Sequence, residues 1–293
     1  MTCIEHIDGC DYRVALPNGR RIGFAQYGDL CGKPVVSFHG GLSCRLDSQF
    51  ADALSRQAGV RLIAPDRPGI GLSDPLPGGR LLDYPDDMVY LADALGIERL
   101  ATLGWSAGGA YALACAHKIP GRLTRVGLIA SVAPLRHLGG AAASRFGVDR
   151  VLLALSRTHP KAAALILEAC RFVPPALMKQ VVSRHVQSGP DRDLIASLSI
   201  RDATAWFYEA LRPGGMGAVR DYQLIGRDWG FEVGGIESHC ILLRGQQDAV
   251  LPEAHTEYLA RTLGRNELRL IPNCGHFLFH QRTSEVLEAL TAT

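Results

Sequence analysis

Short apolar runs, each four or five residues long, recur along the first 133 residues and predict buried strands. They fall at Pro34 to Phe38, Arg61 to Ala64, Leu100 to Leu103 and Val126 to Ala130, with a looser alternation over 21–27 before them. Between them the apolar spacing becomes helical, over 46–58, over 86–95 with Gly96 as its stop, and from Ala110 to Pro120. Strands apolar on both faces that alternate with helices predict a mostly parallel sheet covered on both sides, an α/β fold.

The rhythm then changes. From Pro134 to about Arg227 the pattern is helical throughout, over 148–156, 161–172, 175–187 and 193–211, with Pro- or Gly-containing breaks between. Alternation resumes with a strand at Cys240 to Leu243, a helix at Glu253 to Leu263, a strand at Leu268 to Ile271 and a helix at Ser284 to Leu290. The chain therefore divides into a core of 1–133 and 227–293 and a helical insertion of 134–226, expected as a cap over the C-terminal edge of the sheet. The alanine-rich stretches 140–143 and 162–164 read as ordinary helix composition.

Composition narrows the partners. With 293 residues and 47% apolar content the chain can bury a large core. Its formal net charge is +2, and the longest basic cluster is the pair Arg20-Arg21, so no nucleic-acid-binding stripe is expected. Glu5, Asp8 and Asp11 interrupt any secretory apolar region, and no window approaches a membrane span. The eight cysteines are scattered without a C-x-x-C pair, which fits reduced thiols in a cytoplasm and argues against a zinc ribbon. Lysine is confined to Lys33, Lys118, Lys161 and Lys179 among many arginines, a bias expected of a GC-rich bacterial genome. Nothing in the pattern specifies an oligomeric state.

The chemistry concentrates at strand ends. Gly104-Trp105-Ser106-Ala107-Gly108-Gly109 follows a predicted strand and opens a helix, so a sharp turn would expose the Ser106 hydroxyl beside a helix N-terminus. A structural turn serine is the competing reading. A serine nucleophile needs a base and an acid to orient it. Asp248 in RGQQDAVLP and His276 in IPNCGHF each follow a later strand, giving the order Ser106, Asp248, His276. Ala107 is expected to give one oxyanion amide, and Gly41 of His39-Gly40-Gly41 the second, with Leu42 as the neighbouring alternative. His39 is read as support for that loop, and Asp66 and Arg67 as a bracing pair.

Taken together, FHGG, DRPGIGLSD, GWSAGG, GQQDAVLP and NCGHF resemble the capped α/β-hydrolases in order and location over about 13–133 and 227–293. Related chains often read HGxPGS where this one reads HGGLSCR, so Leu42 and Ser43 replace Pro and Gly. The resemblance implies that Ser106 attacks a carbonyl, that His276 serves as base and then acid, and that Asp248 orients it, with no metal and no cofactor. A small-molecule substrate is expected: a small, mostly apolar ester, thioester, lactone or amide. Trp105, Trp206 and Tyr208 are candidate substrate contacts, although three consecutive aromatics at 206–208 cannot all face one pocket. Other activities on the same scaffold stay open: a proline iminopeptidase-like aminopeptidase, for which Glu168 and Glu209 are candidate amine ligands, a carbon–carbon bond hydrolase, a perhydrolase or a biosynthetic cyclase. A small-molecule receptor is the non-enzymatic reading.

Overall fold

A computed structural model of the protein describes residues 4–139, 147–186 and 189–292. Residues 140–143, position 187 of the third expected insertion helix and Cys3 lie outside them. Among the described residues nine strands form one sheet: β1 (Ile4–Asp8), β2 (Asp11–Ala15), β3 (Arg21–Gly28), β4 (Lys33–Phe38), β5 (Val60–Pro65), β6 (Leu100–Trp105), β7 (Leu123–Ile129), β8 (Cys240–Gly245) and β9 (Asn266–Ile271). Their spatial order is β1-β2-β3-β5-β4-β6-β7-β8-β9. From β5 across to β9 the neighbours are parallel, while β1, β2 and β3 add antiparallel strands at one edge.

The doubly apolar strands explain the layers. Successive side chains of a strand point to opposite faces, so Val36 and Ile63 join one core cluster while their neighbours Val35 and Leu62 join another on the far side of the sheet. Helices α2 (Tyr84–Ala94), α3 (Gly108–Lys118) and α10 (Glu253–Thr262) cover the first face. Helices α11 (Leu278–Gln281) and α12 (Thr283–Thr291) contribute Leu278, Phe279, Val286 and Leu290 to the second, on the side where α1 (Asp52–Gln57) packs. Register aligns Phe38 with Gly104, Gly104 with Leu128, Leu128 with Leu242 and Leu242 with Leu268. The C-terminal ends of β4, β6, β7, β8 and β9 therefore open on one edge, and Gly41, Leu42, Ser106, Ala107, Asp248 and His276 sit on the segments that follow.

Among the described residues six α-helices lie between β7 and β8: α4 (Gly147–Thr158), α5 (Pro160–Cys170), α6 (Pro175–His185), α7 (Gly189–Ser197), α8 (Ala205–Ala210) and α9 (Met216–Gly226). All but α7 contribute to a core of their own around Leu152, Leu153, Leu167, Met178, Phe207, Leu211, Val219 and Tyr222. The helix expected over 193–211 is two, α7 and α8. Between them Ser199 Oγ donates to Asp202 Oδ2 at 2.7 Å and accepts the Asp202 amide at 3.0 Å, a local turn that competes with helix continuation. Helix α9 was hidden behind Pro213-Gly214-Gly215, where Gly215 passes so close to α5 that a Cβ would overlap the Ala164 carbonyl. The hairpin β1–β2 also escaped the apolar pattern because polar side chains interrupt it and Val14 is its one buried residue. Its signal is the Asp8-Gly9 dipeptide, with Gly9 at φ 51°.

Two glycines seat the insertion on the core. A Cβ on Gly217, in the first turn of α9, would overlap the Gly69 carbonyl oxygen. Gly217→Ala is therefore expected to lower stability by roughly 1–3 kcal/mol through overpacking, read as a lower urea midpoint at unchanged slope.

Candidate active site

Every residue of β6 is buried, and at Ser106 the backbone turns into the left-handed region, φ 52°, before α3 begins. A non-glycine residue in that region is uncommon and is retained only where its surroundings determine it. Here they do: Ser106 donates its amide to the Ile129 carbonyl at 2.9 Å and accepts the Val132 amide at 3.0 Å, tying the turn to the end of β7. A Cβ on Gly104 would stand 2.7 Å from Gly108 O and Gly109 Cα, and one on Gly108 would overlap the Phe38 carbonyl. Small residues at 104 and 108 are thus a steric requirement of the turn.

Asp248 follows β8 and His276 follows β9, and the structure brings them together. His276 Nδ1 lies 3.1 Å from Asp248 Oδ2, both side chains being buried. The other carboxylate oxygen accepts the Val250 and Leu251 amides, each at 2.9 Å, and Arg244 Nη1 stands 3.7 Å from Oδ2. A proton held on Nδ1 toward Asp248 leaves Nε2 as the ring nitrogen able to accept another.

The loop after β4 is braced from below. Buried Arg67 donates to the His39 carbonyl at 2.5 Å, to the Gly40 carbonyl at 2.8 Å and to Asp221 of α9 at 2.7 Å, and its guanidinium lies 4.8 Å from the centroid of the Tyr111 ring. His39 Nδ1 meets the Gly40 carbonyl at 3.0 Å while Nε2 accepts the Arg67 amide at 3.4 Å, so His39 belongs to the loop's support. Asp66 and Arg67 do not pair with each other. Asp66 holds Arg45 at 3.0 Å, and Arg45 also binds Asp11 at 2.6 Å and Glu209 at 2.8 Å.

Ser106, His276, Ala107, Gly41 and Leu42 line a single cavity of about 260 Å³ between the strand ends and the insertion. Most of its wall is apolar, with Val132, Leu153, Leu167, Met178, Ile225 and Phe277 among the contributors. Trp105 and Trp206 line it too. Tyr208 does not: its hydroxyl donates to the Val173 carbonyl at 2.5 Å, and Phe207 takes the place at the wall because consecutive helical side chains diverge. Phe172 is 85% exposed and far from any packing role. Glu168 and Glu209 are absent from the wall. Its carboxylates are instead Asp47, which accepts the Gly40 amide at 3.3 Å, and Asp149, which accepts the Tyr222 hydroxyl. Sequence reading missed both, and also Asp191 of α7, whose carboxylate binds the His276 amide.

A family model described as alpha/beta hydrolase fold matches residues 33–283. The chain belongs to that family. A non-heme chloroperoxidase of Streptomyces lividans is 36% identical to this hydrolase over 126 residues, 42% of this chain and 45% of the relative, so the match spans less than half of that protein. A pimeloyl-(acyl-carrier protein) methyl ester esterase of Aromatoleum aromaticum is 28% identical over 78% of this chain and 86% of its own. The solved structure of an esterase from Exiguobacterium antarcticum shares the fold at a TM-score of 0.69, with 17% identity and coverage of 96% and 97% of the two chains.

Electrostatics in the hydrolase follow from burial and pairing. Burial alone would raise the Asp248 carboxyl, but the charge and hydrogen bond of His276, the Leu251 amide and Arg244 hold it below its ordinary value. Burial alone would lower His276, but Asp248, with smaller contributions from Asp191 and Asp149, raises it above the ordinary histidine value. His39 is lowered by burial and by Arg67, which keeps it neutral. Among the described residues no group of three or more His, Cys, Asp or Glu is placed to hold a metal ion. The His280 ring, one helical turn beyond His276, stacks on Phe50 with centroids 3.6 Å apart. The seven described cysteines are all free thiols, and no described helix is long and apolar enough to cross a membrane.

Burial pushes the Asp47 carboxyl up to about 7. A group whose pKa rises on folding stabilises the fold below its unfolded value of about 3.9, and that contribution is lost as pH climbs through the folded value. Asp47→Asn is therefore expected to flatten the fall in Tm of the wild type between about pH 4 and pH 8, measured by thermal melts across that range.

Proposed function

We propose that this hydrolase cleaves a small, mostly apolar carboxylic ester through an acyl-enzyme on Ser106. The observation that carries the reading is the convergence, in one cavity, of a hydroxyl on a left-handed strand-to-helix turn and a histidine paired to a buried aspartate. In this mechanism Nε2 of His276 takes the Ser106 proton as Oγ attacks the acyl carbon, and Asp248 stabilises the imidazolium that forms. The Ala107 amide and that of Gly41, or its neighbour Leu42, receive the developing oxyanion. Collapse breaks the acyl–oxygen bond, and His276 returns its proton to the departing alcohol. Water then repeats the sequence on the acyl-enzyme, releasing the acid and restoring Ser106.

The cavity volume of about 260 Å³ lies just below the range of about 300–1,000 Å³ common for small-molecule pockets, which supports a small acyl group. The apolar wall supports an uncharged one, because Asp47 and Asp149 already accept hydrogen bonds from the protein and Glu209 is held by Arg45. This weighs against an aminopeptidase. The Aromatoleum relative, named for methyl ester hydrolysis, supports the ester within the wider set of thioesters, lactones and amides. The helices α4–α9 act as the cap, covering the reacting carbonyl and limiting water. Val181 of α6 both lines the cavity and is 36% exposed, which supports an entrance for the substrate at that helix.

Ser106→Ala is expected to abolish labelling by a fluorophosphonate probe and to cut turnover of short-chain aryl esters by roughly 10⁴–10⁶-fold. Labelling that survives the substitution would sink the nucleophile. Because Asp248 raises His276, the acid limb of kcat/KM is expected above about pH 6.5, and Asp248→Asn should move it to lower pH while reducing the rate.

A further inference from the structure

The peptide unit that carries His276 is held from two sides. On one, its carbonyl accepts Trp105 Nε1 at 2.9 Å. On the other, fully buried Asp191, in the first turn of α7, accepts the His276 amide on Oδ2 at 2.6 Å, and on Oδ1 the Phe277 amide and Gln281 Nε2, each at 3.1 Å. Gln281 closes the ring by accepting the Gly275 amide at 3.0 Å. Residue 275 has to be glycine here, because a Cβ would overlap the Asp191 carboxylate. A buried carboxylate is tolerated only when hydrogen-bonded or paired, and these donors come from the loop that presents His276.

We infer that Asp191 is a positioning residue for the proposed base, so that the inserted helices, and not the core alone, set the reach of His276 toward Ser106. The inference rests on the hydrolytic reading above. It gives Asp191 two effects: it fixes the backbone from which the imidazole extends, and its charge favours the imidazolium. The acidic groups facing His276 are Asp248 after β8, Asp191 of α7, Asp149 of α4 and, in the 3₁₀ segment after β4, Asp47, whose carboxyl burial pushes up to about 7. Removing the Asp191 anion makes the imidazolium less favourable.

The test compares wild type, Asp191→Asn and Gln281→Ala in full-length protein, using a short-chain aryl ester across pH. Asparagine keeps the shape but loses the charge and one acceptor. Asp191→Asn is expected to lower kcat by roughly 10²-fold, the scale of a misplacement of about 1 Å, with KM little changed and the acid limb displaced to lower pH. Gln281→Ala keeps the carboxylate, removes one of its donors and should lower kcat several-fold with the acid limb in place; it decides the matter if Asp191→Asn does not fold. A folded Asp191→Asn enzyme with wild-type kcat and an unmoved acid limb overturns the inference, as does wild-type kcat in Gln281→Ala when the other variant fails to fold. Turnover by the wild-type chain that survives Ser106→Ala refutes instead the hydrolytic reading beneath it.

Discussion

The contact on which the site depends is the close approach of Gly108 to the end of β4. With no side chain between them, the first turn of α3 lies directly against the Phe38 carbonyl, and the turn bearing Ser106 meets the loop His39-Gly40-Gly41. Parallel pairing of β4 with β6 brings these ends level, since Phe38 is registered with Gly104. The left-handed backbone at Ser106 persists because the last residue of β7 supplies the Ile129 carbonyl and the loop after it the Val132 amide that hold it. Strain, register and the missing Cβ are one arrangement seen from three directions.

Charge is used differently in the core and around the cavity. Below the loop after β4, Arg67 and Asp221 are both almost wholly buried and joined at 2.7 Å, a pairing whose worth lies in holding two carbonyls and a helix in fixed relation. Such a pair contributes little net stability over apolar residues of the same volume, but losing either partner strands a charge. Around the cavity the carboxylates are engaged by backbone amides and a tyrosine hydroxyl, so the wall presents little free charge to a substrate. The apolar character of the cavity thus rests as much on how its acids are satisfied as on its aliphatic side chains.

Much of the fold was legible because buried parallel strands leave a simple mark, a short run apolar on both faces. The runs at Pro34 to Phe38 and Leu100 to Leu103 lie within β4 and β6 almost to the residue. The glycines of GWSAGG were legible for the same kind of reason, since steric exclusion is written in residue type. What depended on distant partners was not. Asp191 reaches a loop 85 residues away and looks in sequence like any acidic residue opening a helix. The split between α7 and α8 turned on a serine–aspartate turn that helical periodicity conceals, and the side on which Trp206, Phe207 and Tyr208 fall depended on the packing of α8. Of these, Ser199-x-x-Asp202 and Asp8-Gly9 carried readable local chemistry.

Arg45 reaches farther than its place in a short 3₁₀ segment suggests, because one guanidinium joins Asp11 of β2, Asp66 after β5 and Glu209 of α8. The edge hairpin, the core and the inserted helices share that cation, and Arg67 with Asp221 repeats the connection at α9. The insertion is therefore not a modular piece that could be exchanged at its two chain crossings. A foreign set of helices grafted onto this sheet would leave two buried guanidiniums short of their anions and the His276 loop without Asp191, so a workable transplant would have to retain α7, α8 and α9 and vary only α4, α5 and α6.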